Sequence, residues 1–191
     1  IGADSRIGNK FLYPGCGYGG SCFPKDVKAL IHTAAKFGYD MRVLNSVEEV
    51  NEKQKNILFE KFKNYYKGDL KGRKVAVWGL AFKPETDDMR EAPALVLIKS
   101  LLNEGCFISV YDPVAMEECK RRIGDVVTYS QNMYDAVIEA DAIFHVTEWK
   151  EFRMPSWGVI KKAMKDDPVL IDGRNVFSAA DLEGITYLKI G

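Results

Sequence analysis

The chain has 191 residues, 47% of them apolar, which is enough to bury one full core with a smaller helical annex. Lysine plus arginine equals aspartate plus glutamate, 27 against 27, so its formal charge is zero. A neutral domain has no long-range field to gather polyanions, which argues against nucleic acid or an anionic membrane as the main partner.

Membrane, secreted and zinc-binding classes are also disfavoured. The sequence has no apolar run near the length of a membrane span, and no charged start that leads into an apolar signal segment. Its four cysteines form no C-x-x-C pair and only two histidines accompany them, so no metal site is predicted. We therefore expect a reduced, soluble, cytoplasmic protein. Because the chain starts at Ile1 without a methionine, we expect it to be a fragment.

The first part of the chain is predicted to be a loop followed by two helices. Residues 1–22 are rich in glycine and indicate a loop, and Pro24 suits the first position of a helix, where its missing N–H costs nothing. Apolar residues then recur at helical spacing until Gly38. The same spacing predicts a second helix over roughly 43–66, which Gly68 ends.

Beyond Gly72 the pattern changes to short β-branched runs. These runs are KVAVWGL, CFISVYD, DVVTY, AIFHVT and PVLIDG, and the helices predicted between them cover 92–104, 115–122, 132–140 and 156–165. Such alternation is typical of βαβ units and a parallel sheet covered on both faces. We therefore predict an α/β fold, with a doubly wound, Rossmann-like parallel sheet over 71–191 that follows a helical region over 1–70.

The glycine cluster from Gly15 to Gly20 superficially matches a dinucleotide fingerprint. It fails the structural test because no buried strand precedes it, and a flexible turn is the simpler alternative. Its glycines would nevertheless let backbone N–H groups approach a ligand closely, and they lead the chain into a helix at Cys22.

Cys22 is therefore expected at the amino-terminal cap of the first helix. The helix dipole and the free N–H groups favour a thiolate there, and Lys25 adds a positive charge nearby. Asp26 lies one turn later, so a nucleophile with a water-handling carboxylate is plausible chemistry. The alternative is an inert cysteine with an ordinary first-turn aspartate. Cys16, Cys106 and Cys119 are interpreted as inert.

A second group of charged residues follows the strands of the predicted sheet. Lys83 and Arg90 follow the first strand and Arg174 follows the last predicted one, so all three lie at the edge where doubly wound sheets bind ligands. A converging lysine and arginine could neutralise a diphosphate, or the loop could simply form surface ion pairs. The single Gly79 after the first strand argues against a dinucleotide site in this domain.

Three motifs carry a resemblance to a known family. Residues 6–26, RIGNKFLYPGCGYGGSCFPKD, are similar throughout to the active-site segment of the UDP-glucose/GDP-mannose dehydrogenase family. The segment GLAFKPETDDMREAP and the triplet Asp172-Gly173-Arg174 match two further motifs of the family in the same order. The resemblance spans essentially the whole chain.

The resemblance implies a role for each matching residue. The family's nucleophile falls on Cys22 and its supporting carboxylate on Asp26, while Lys25 and Arg90 match contacts to the cofactor, NAD. Arg6 matches an arginine that reaches the substrate of the partner subunit. The remaining matches are substrate contacts: Phe11, Leu12, Tyr13, Pro14, Gly15, Gly19, Phe82, Lys83 and Arg174.

The implied activity is the NAD-dependent, four-electron oxidation of the C6 alcohol of UDP-glucose to UDP-glucuronate through a cysteine thiohemiacetal and thioester. In the family an NAD-binding domain precedes the matched region, so we expect this chain alone to show no turnover. Residues 24–66 are expected to form a homodimer interface. Two alternatives remain open: a dehydrogenase of GDP-mannose or UDP-N-acetylmannosamine, and a non-catalytic module that binds a nucleotide sugar and dimerises.

Overall fold

The two predicted helices are present within two residues of their expected bounds. The computed structural model describes residues 1–8 and 12–191. Helix α1 spans Phe23–Lys36 and helix α2 spans Arg42–Tyr65. Gly38 follows α1 with a φ of +71°, and its N–H donates to the carbonyl of Ala35, so the predicted stop is confirmed.

Strands and helices alternate from residue 74 onward. In chain order they are β1 (Lys74–Trp78), α3 (Pro93–Asn103), β2 (Phe107–Tyr111), α4 (Met116–Ile123), β3 (Thr128–Tyr129), α5 (Met133–Ala136), β4 (Ala142–His145), α6 (Trp157–Ala163), β5 (Val169–Asp172) and β6 (Thr186–Lys189). Single 3₁₀ turns occur at Lys150–Phe152 and Ala179–Asp181.

The six strands form one parallel sheet in the order β3-β2-β1-β4-β5-β6. This is the order of a doubly wound dinucleotide-type fold, in which the chain reverses its direction of winding between β1 and β4. The predicted α/β, Rossmann-like fold is therefore confirmed. Ligands of such sheets bind beyond the carboxyl ends of the strands at this reversal.

Two details of the sequence prediction were wrong. Strand β6 was not predicted, because its residues are mostly half-buried at the edge of the sheet and form no apolar run. The helix predicted over 132–140 is only the single turn α5. Glu139 leaves the helical conformation with a φ of +58°, and its N–H donates to the carbonyl of Ala163 instead.

The side chains of β1 alternate between two hydrophobic cores. Val75 and Val77 face the core that α2 and α3 cover, where Phe62 of α2 is fully buried. Ala76 and Trp78 face the other core, which α6 and the segment after β4 cover. Trp78 stacks on Phe152 with 5.4 Å between ring centroids, so aromatic side chains serve packing in this core.

The apolar stripe of α2 is divided between two environments. Its carboxyl-terminal half packs on the sheet through Leu58, Phe59 and Phe62. In its amino-terminal half Val43 and Val50 remain exposed, at 77% and 63% of their surface. Packing on the α/β domain thus accounts for half of the stripe, and the homodimer predicted for the helical region stays a prediction.

Asp112 joins three segments at the carboxyl edge of the sheet. It directly follows β2 and is 1% exposed, and its carboxylate accepts N–H groups from Leu80 and Ala81 after β1, at 2.7 and 3.2 Å. It also accepts the indole N–H of Trp149 after β4, at 3.0 Å, and the amides of Val114 and Ala115. The loops that leave β1 and β4 are therefore held together by one buried anion.

We expect the substitution Asp112→Ala to lower the free energy of unfolding by about 3–5 kcal/mol, because it leaves five N–H donors without their acceptor. Urea denaturation measures the change. Asp125→Ala is the matched control, since Asp125 is exposed and pairs only with exposed Lys120 among the described residues. Equal stability of the two variants would contradict a structural role for Asp112.

Candidate functional site

Cys22 lies at the amino-terminal end of α1, as the sequence predicts. It is the residue that precedes the first helical residue, and its thiol is exposed with Sγ 3.6 Å from Oγ of Ser21. Pro24 occupies the first turn, and the N–H of Asp26 donates to the carbonyl of Cys22 at 2.9 Å. The carboxylate of Asp26 lies 3.4 Å from the ammonium group of Lys25, and both side chains are exposed.

The other three cysteines are buried. Burial raises the pKa of the Cys16, Cys106 and Cys119 thiols to about 11, so they are protonated at neutral pH. Cys22 is the one exposed cysteine of the four. The structure therefore separates one accessible thiol from three inert ones.

Polar side chains of α2 hold the glycine-rich loop. The amide of Asn51 accepts the N–H of Tyr18 at 2.8 Å and donates to its carbonyl at 3.3 Å. Three residues further along the same face of the helix, Gln54 donates to the carbonyl of Gly15 at 2.7 Å. Asn51 and Gln54 were not predicted as site residues, although their spacing places them on one face of the helix.

The loop glycines allow contact with the loop that follows β1. A Cβ atom on Gly19 would lie 2.4 Å from the carbonyl oxygen of Glu91, and one on Gly20 would lie 2.8 Å from the ring of Phe82. The N–H of Gly20 donates to the carbonyl of Arg90 at 2.7 Å. Gly19 thus packs against a backbone carbonyl and Gly20 against an aromatic ring, and the close approach of these glycines to a ligand stays a prediction.

The loop after β1 carries Phe82, Lys83 and Arg90. The N–H of Phe82 donates to the carbonyl of Asp88, and the carboxylate of Asp88 accepts two hydrogen bonds from the Arg90 guanidinium, each at 2.9 Å. The carboxylate of Asp88 raises the pKa of Arg90, and nearby Cys22 adds to the effect. The exposed guanidinium of Arg90 is therefore fixed on this loop by Asp88.

Arg174 is anchored by two acidic residues. Its guanidinium donates to Glu148 at 2.6 Å, and its backbone N–H donates to Asp172 at 2.9 Å. Its Nε is buried and has no hydrogen-bond partner within the described part of the chain. A Cβ atom on Gly15 would lie 2.5 Å from its Nη1, so the guanidinium packs directly against the backbone of the loop.

Asp172 orders the segment that carries Arg174. It is fully buried at the end of β5, and besides Arg174 it accepts hydrogen bonds from His145 at 2.9 Å and from the hydroxyl of Tyr187 at 2.9 Å. Burial alone raises the pKa of Asp172, but these hydrogen bonds outweigh the effect and leave its pKa below the usual range. His145 is itself fully buried.

A cleft of about 840 Å³ forms where these segments meet. Six of the predicted substrate contacts line it: Tyr13, Gly15, Gly19, Phe82, Lys83 and Arg174. The remaining wall is Gly17, Tyr18 and one face of α2, made of Val43, Ser46, Val47, Val50, Asn51 and Gln54. The structure therefore brings Lys83 and Arg174 into one cleft, as the strand-end argument predicts.

A second cleft of about 810 Å³ shares Tyr13 and Arg174 with the first. Its further lining includes Pro14, Pro84, Pro113, Glu148 and Trp149. Pro14 is thus the one predicted contact that lines this cleft alone. Glu148, the partner of Arg174, was not predicted, because nothing in its sequence context distinguishes it from an ordinary surface acid.

The other predicted site residues lie outside the linings of both clefts. Leu12 is exposed, and Arg6 forms an ion pair with Asp4 at 2.7 Å. The cysteine group also stands apart from the linings and comprises Cys22, Lys25, Asp26 and Arg90. Phe11 lies outside the described residues.

The sheet itself does not fit a dinucleotide. In dinucleotide folds the acidic residue near the end of β2 holds a ribose, but here the carboxylate of Asp112 is occupied by five protein donors. A Cβ on Gly79 would lie 2.5 Å from Thr147, so that glycine serves packing. Across residues 1–8 and 12–191 there is no cluster of three metal-ligating side chains, and no helix there could cross a membrane.

Family models match most of the chain. The model for the UDP binding domain of the UDP-glucose/GDP-mannose dehydrogenase family matches residues 76–179, and the model for the central domain of the same family matches residues 1–53. The first match falls on the parallel sheet. The second covers the loop that leads to Cys22, helix α1 and the first half of α2.

Individual relatives agree with the family match. A UDP-glucose 6-dehydrogenase of Pseudomonas aeruginosa is 48% identical over the whole chain, and the enzyme TuaD of Bacillus subtilis, of the same name, is 42% identical over 98% of it. The chain spans 44% and 40% of the length of these two proteins. A solved UDP-glucose dehydrogenase from Pyrobaculum islandicum superposes with a TM-score of 0.85 at 33% identity, covering 98% of this chain and 41% of that one.

We expect Gly19→Ala to destabilise the protein by about 1–3 kcal/mol, because the added methyl group would overlap a backbone carbonyl that cannot move alone. The matched control is Gly158→Ala in α6, where a Cβ meets no atom within 4 Å. The control should leave the free energy of unfolding unchanged or raise it by up to about 1 kcal/mol. Chemical denaturation compares the two, and wild-type stability of Gly19→Ala would disprove the close approach of the loops.

Proposed function

We propose that this chain, which belongs to the UDP-glucose/GDP-mannose dehydrogenase family, supplies the nucleophile and the nucleotide-sugar site for oxidation of UDP-glucose to UDP-glucuronate. The observation that carries the proposal is the cleft in which Lys83 and Arg174 meet, next to the loop that leads to the one exposed cysteine. The relative from Pseudomonas aeruginosa, named for this activity, supports the choice of substrate.

The cleft has the size and charge that a nucleotide sugar requires. Volumes of about 840 and 810 Å³ lie within the range of pockets that enclose ligands of several hundred daltons. Lys83 offers a point charge and Arg174 a planar guanidinium, which together would neutralise a diphosphate. Glu148 holds Arg174 in orientation, and the unpartnered Nε adds a donor that an anionic ligand could use.

Cys22 suits covalent catalysis because it is exposed at a helix amino terminus. Its exposed thiol at the start of α1 is accessible to an aldehyde held beside the loop that leads to it. Asp26 is one turn into the same helix, where it would orient a water molecule. The catalytic assignments of Cys22 and Asp26 rest on the motif and on this placement.

The chemistry explains why a cysteine is needed. Oxidation of the C6 alcohol gives an aldehyde, which donates a second hydride poorly until a nucleophile adds to it. Addition of the Cys22 thiolate to the aldehyde carbon gives a thiohemiacetal, and loss of a hydride from that carbon gives a thioester. Water then adds to the thioester, the C–S bond breaks, and the carboxylate and the free thiol are released. Asp26 would hold this water and accept its proton.

NAD would serve as the hydride acceptor in both oxidations. The exposed cations of Lys25 and Arg90, close to Cys22, are the residues of this chain that would contact its phosphates. Because the sheet does not fit a dinucleotide, most of the NAD site must be formed by residues other than those of this sheet. Arg6 reaching the substrate of a partner subunit, the homodimer and a cytoplasmic location complete the proposal.

The second candidate is a different nucleotide sugar. A solved structure from Pyrococcus horikoshii, named as a UDP-D-ManNAc dehydrogenase, superposes on 93% of this chain with a TM-score of 0.73 at 27% identity and covers 39% of that protein. The same clefts could therefore accept a related hexose. A non-catalytic binding module is less well supported, since binding alone would not need an exposed thiol at a helix end.

Ligand-induced stabilisation distinguishes these substrates. We expect UDP-glucose, UDP-glucuronate and UDP to raise the melting temperature of the protein expressed from its complete gene, and GDP-mannose to leave it unchanged. Lys83→Ala should weaken UDP binding by about 10–100-fold, since it removes one charge-assisted contact to the diphosphate. Lys99→Ala removes the same charge from an exposed site on α3 and is the control. Stabilisation by GDP-mannose but not by UDP would refute the substrate assignment.

Loss of the nucleophile tests the mechanism. Cys22→Ala should lower steady-state NADH production from UDP-glucose by at least about 10³-fold, because the aldehyde can no longer form a thiohemiacetal. Cys106→Ala, which removes a buried thiol, should keep the wild-type rate. Binding of UDP to Cys22→Ala should be unchanged. Wild-type turnover of Cys22→Ala would exclude Cys22 as the nucleophile.

A further inference from the structure

We infer that the ion pair between Lys55 of α2 and Glu91, in the loop after β1, acts as a latch. It positions the loop after β1 against the cysteine loop, residues 15–22. The inference rests on the proposed function, because the two segments that the latch joins carry the proposed substrate contacts and the proposed nucleophile. Lys55 and Glu91 are positioning residues in this scheme and contact no substrate atom.

Lys55 is a buried cation with two acidic partners. Its side chain is 2% exposed, and its ammonium group donates to Glu52 at 3.0 Å and to Glu91 at 3.1 Å. Burial alone lowers the pKa of Lys55, but these two partners outweigh it and raise the pKa. A lysine in this position is costly to desolvate, so it must be kept in place by what it pairs with.

Glu91 is held in an unusual conformation by its pairing. Its φ of +53° lies in the left-handed region, which is unfavourable for a residue with a side chain. The same carboxylate oxygen that meets Lys55 lies 3.3 Å from the ammonium group of Lys28 on α1. The Glu91 side chain, from the loop after β1, therefore bridges helices α1 and α2.

The backbone at Arg90 and Glu91 packs against the glycines of the cysteine loop. The carbonyl of Glu91 lies against Gly19, and the carbonyl of the preceding residue, Arg90, accepts the N–H of Gly20. Gly20 is two residues before Cys22. Any movement of Glu91 away from Lys55 would therefore displace the two glycines and the part of the loop that leads to Cys22.

The Lys55–Glu91 pair can be broken without leaving either residue unpaired, because each has a second partner. In Glu91→Gln the side chain keeps its size and Lys55 keeps its second partner, Glu52, so no buried cation is left alone. Lys55→Met removes the charge from the other side, and Glu91 keeps Lys28. The matched control is Glu49→Gln, which makes the same change in the exposed Glu49–Lys53 pair of the same helix.

Two measurements on the protein expressed from its complete gene test the latch. Alkylation of Cys22 at neutral pH needs no ligand, and we expect Glu91→Gln to slow it about threefold or more, because displacement of Gly19 and Gly20 shifts the thiol from its exposed position. The KM for UDP-glucose should rise about tenfold, because Phe82 and Lys83 lose their support. Lys55→Met should behave alike, and the double variant should match either single variant, since both break one pair.

The outcomes separate the latch from the proposed function. Wild-type alkylation and KM in Glu91→Gln and Lys55→Met, with normal turnover, would overturn the latch and leave the function intact. A wild-type protein that fails to oxidise UDP-glucose, with slowed alkylation in both variants, would remove the function and support the latch. Additive effects in the double variant would show that Lys55 and Glu91 act independently, which also overturns it. Glu49→Gln should match the wild type throughout.

Discussion

The site depends on a contact between two backbones. The glycine-rich loop and the loop after β1 touch at Gly19 and Gly20, where no side chain separates the chains and one hydrogen bond joins Gly20 to Arg90. Because the first loop ends at the cysteine and the second carries Phe82 and Lys83, this contact sets the distance between the thiol and the cleft. A backbone contact suits such a task, since it has no rotamers to lose and little freedom to adjust.

Buried carboxylates at the ends of strands prepare the loops for that contact. Asp112 directly follows β2 and accepts hydrogen bonds from backbone N–H groups after β1. Asp172 is the last residue of β5 and accepts hydrogen bonds from the backbone N–H groups of Arg174 and Val176. Because each carboxylate is held at the end of a strand, the loop that donates hydrogen bonds to it is held in place as well. The same edge of a doubly wound sheet that usually holds a dinucleotide is here filled by the protein's own donors, and the ligand clefts lie further out, between the sheet and the helical region.

The sequence predicts those parts of the molecule that depend on local pattern. Strands β1 to β5 follow from β-branched runs, and the convergence of Lys83 and Arg174 follows from the rule that ligands bind at strand ends. Strand β6 could not be predicted, because its residues are mostly half-buried and form no apolar run. The roles of Asn51, Gln54 and Lys55 could not be predicted either, since they depend on how α2 crosses the sheet. The family motif names the residues near Cys22, but it contains no information on what supports them.

The two residues that line both clefts limit how a long ligand can be oriented across them. Tyr13 and Arg174 belong to both clefts, so a molecule that fills both must pass over a cation at its middle. A nucleotide sugar has this layout, with its negative charge between two uncharged ends. Under the proposed function the hexose would lie in the cleft lined by Gly15 and Gly19, whose loop leads to Cys22, and the base would lie in the cleft beside Trp149. The arrangement of the two clefts would then give the ligand a direction before any contact to the base or the sugar is made.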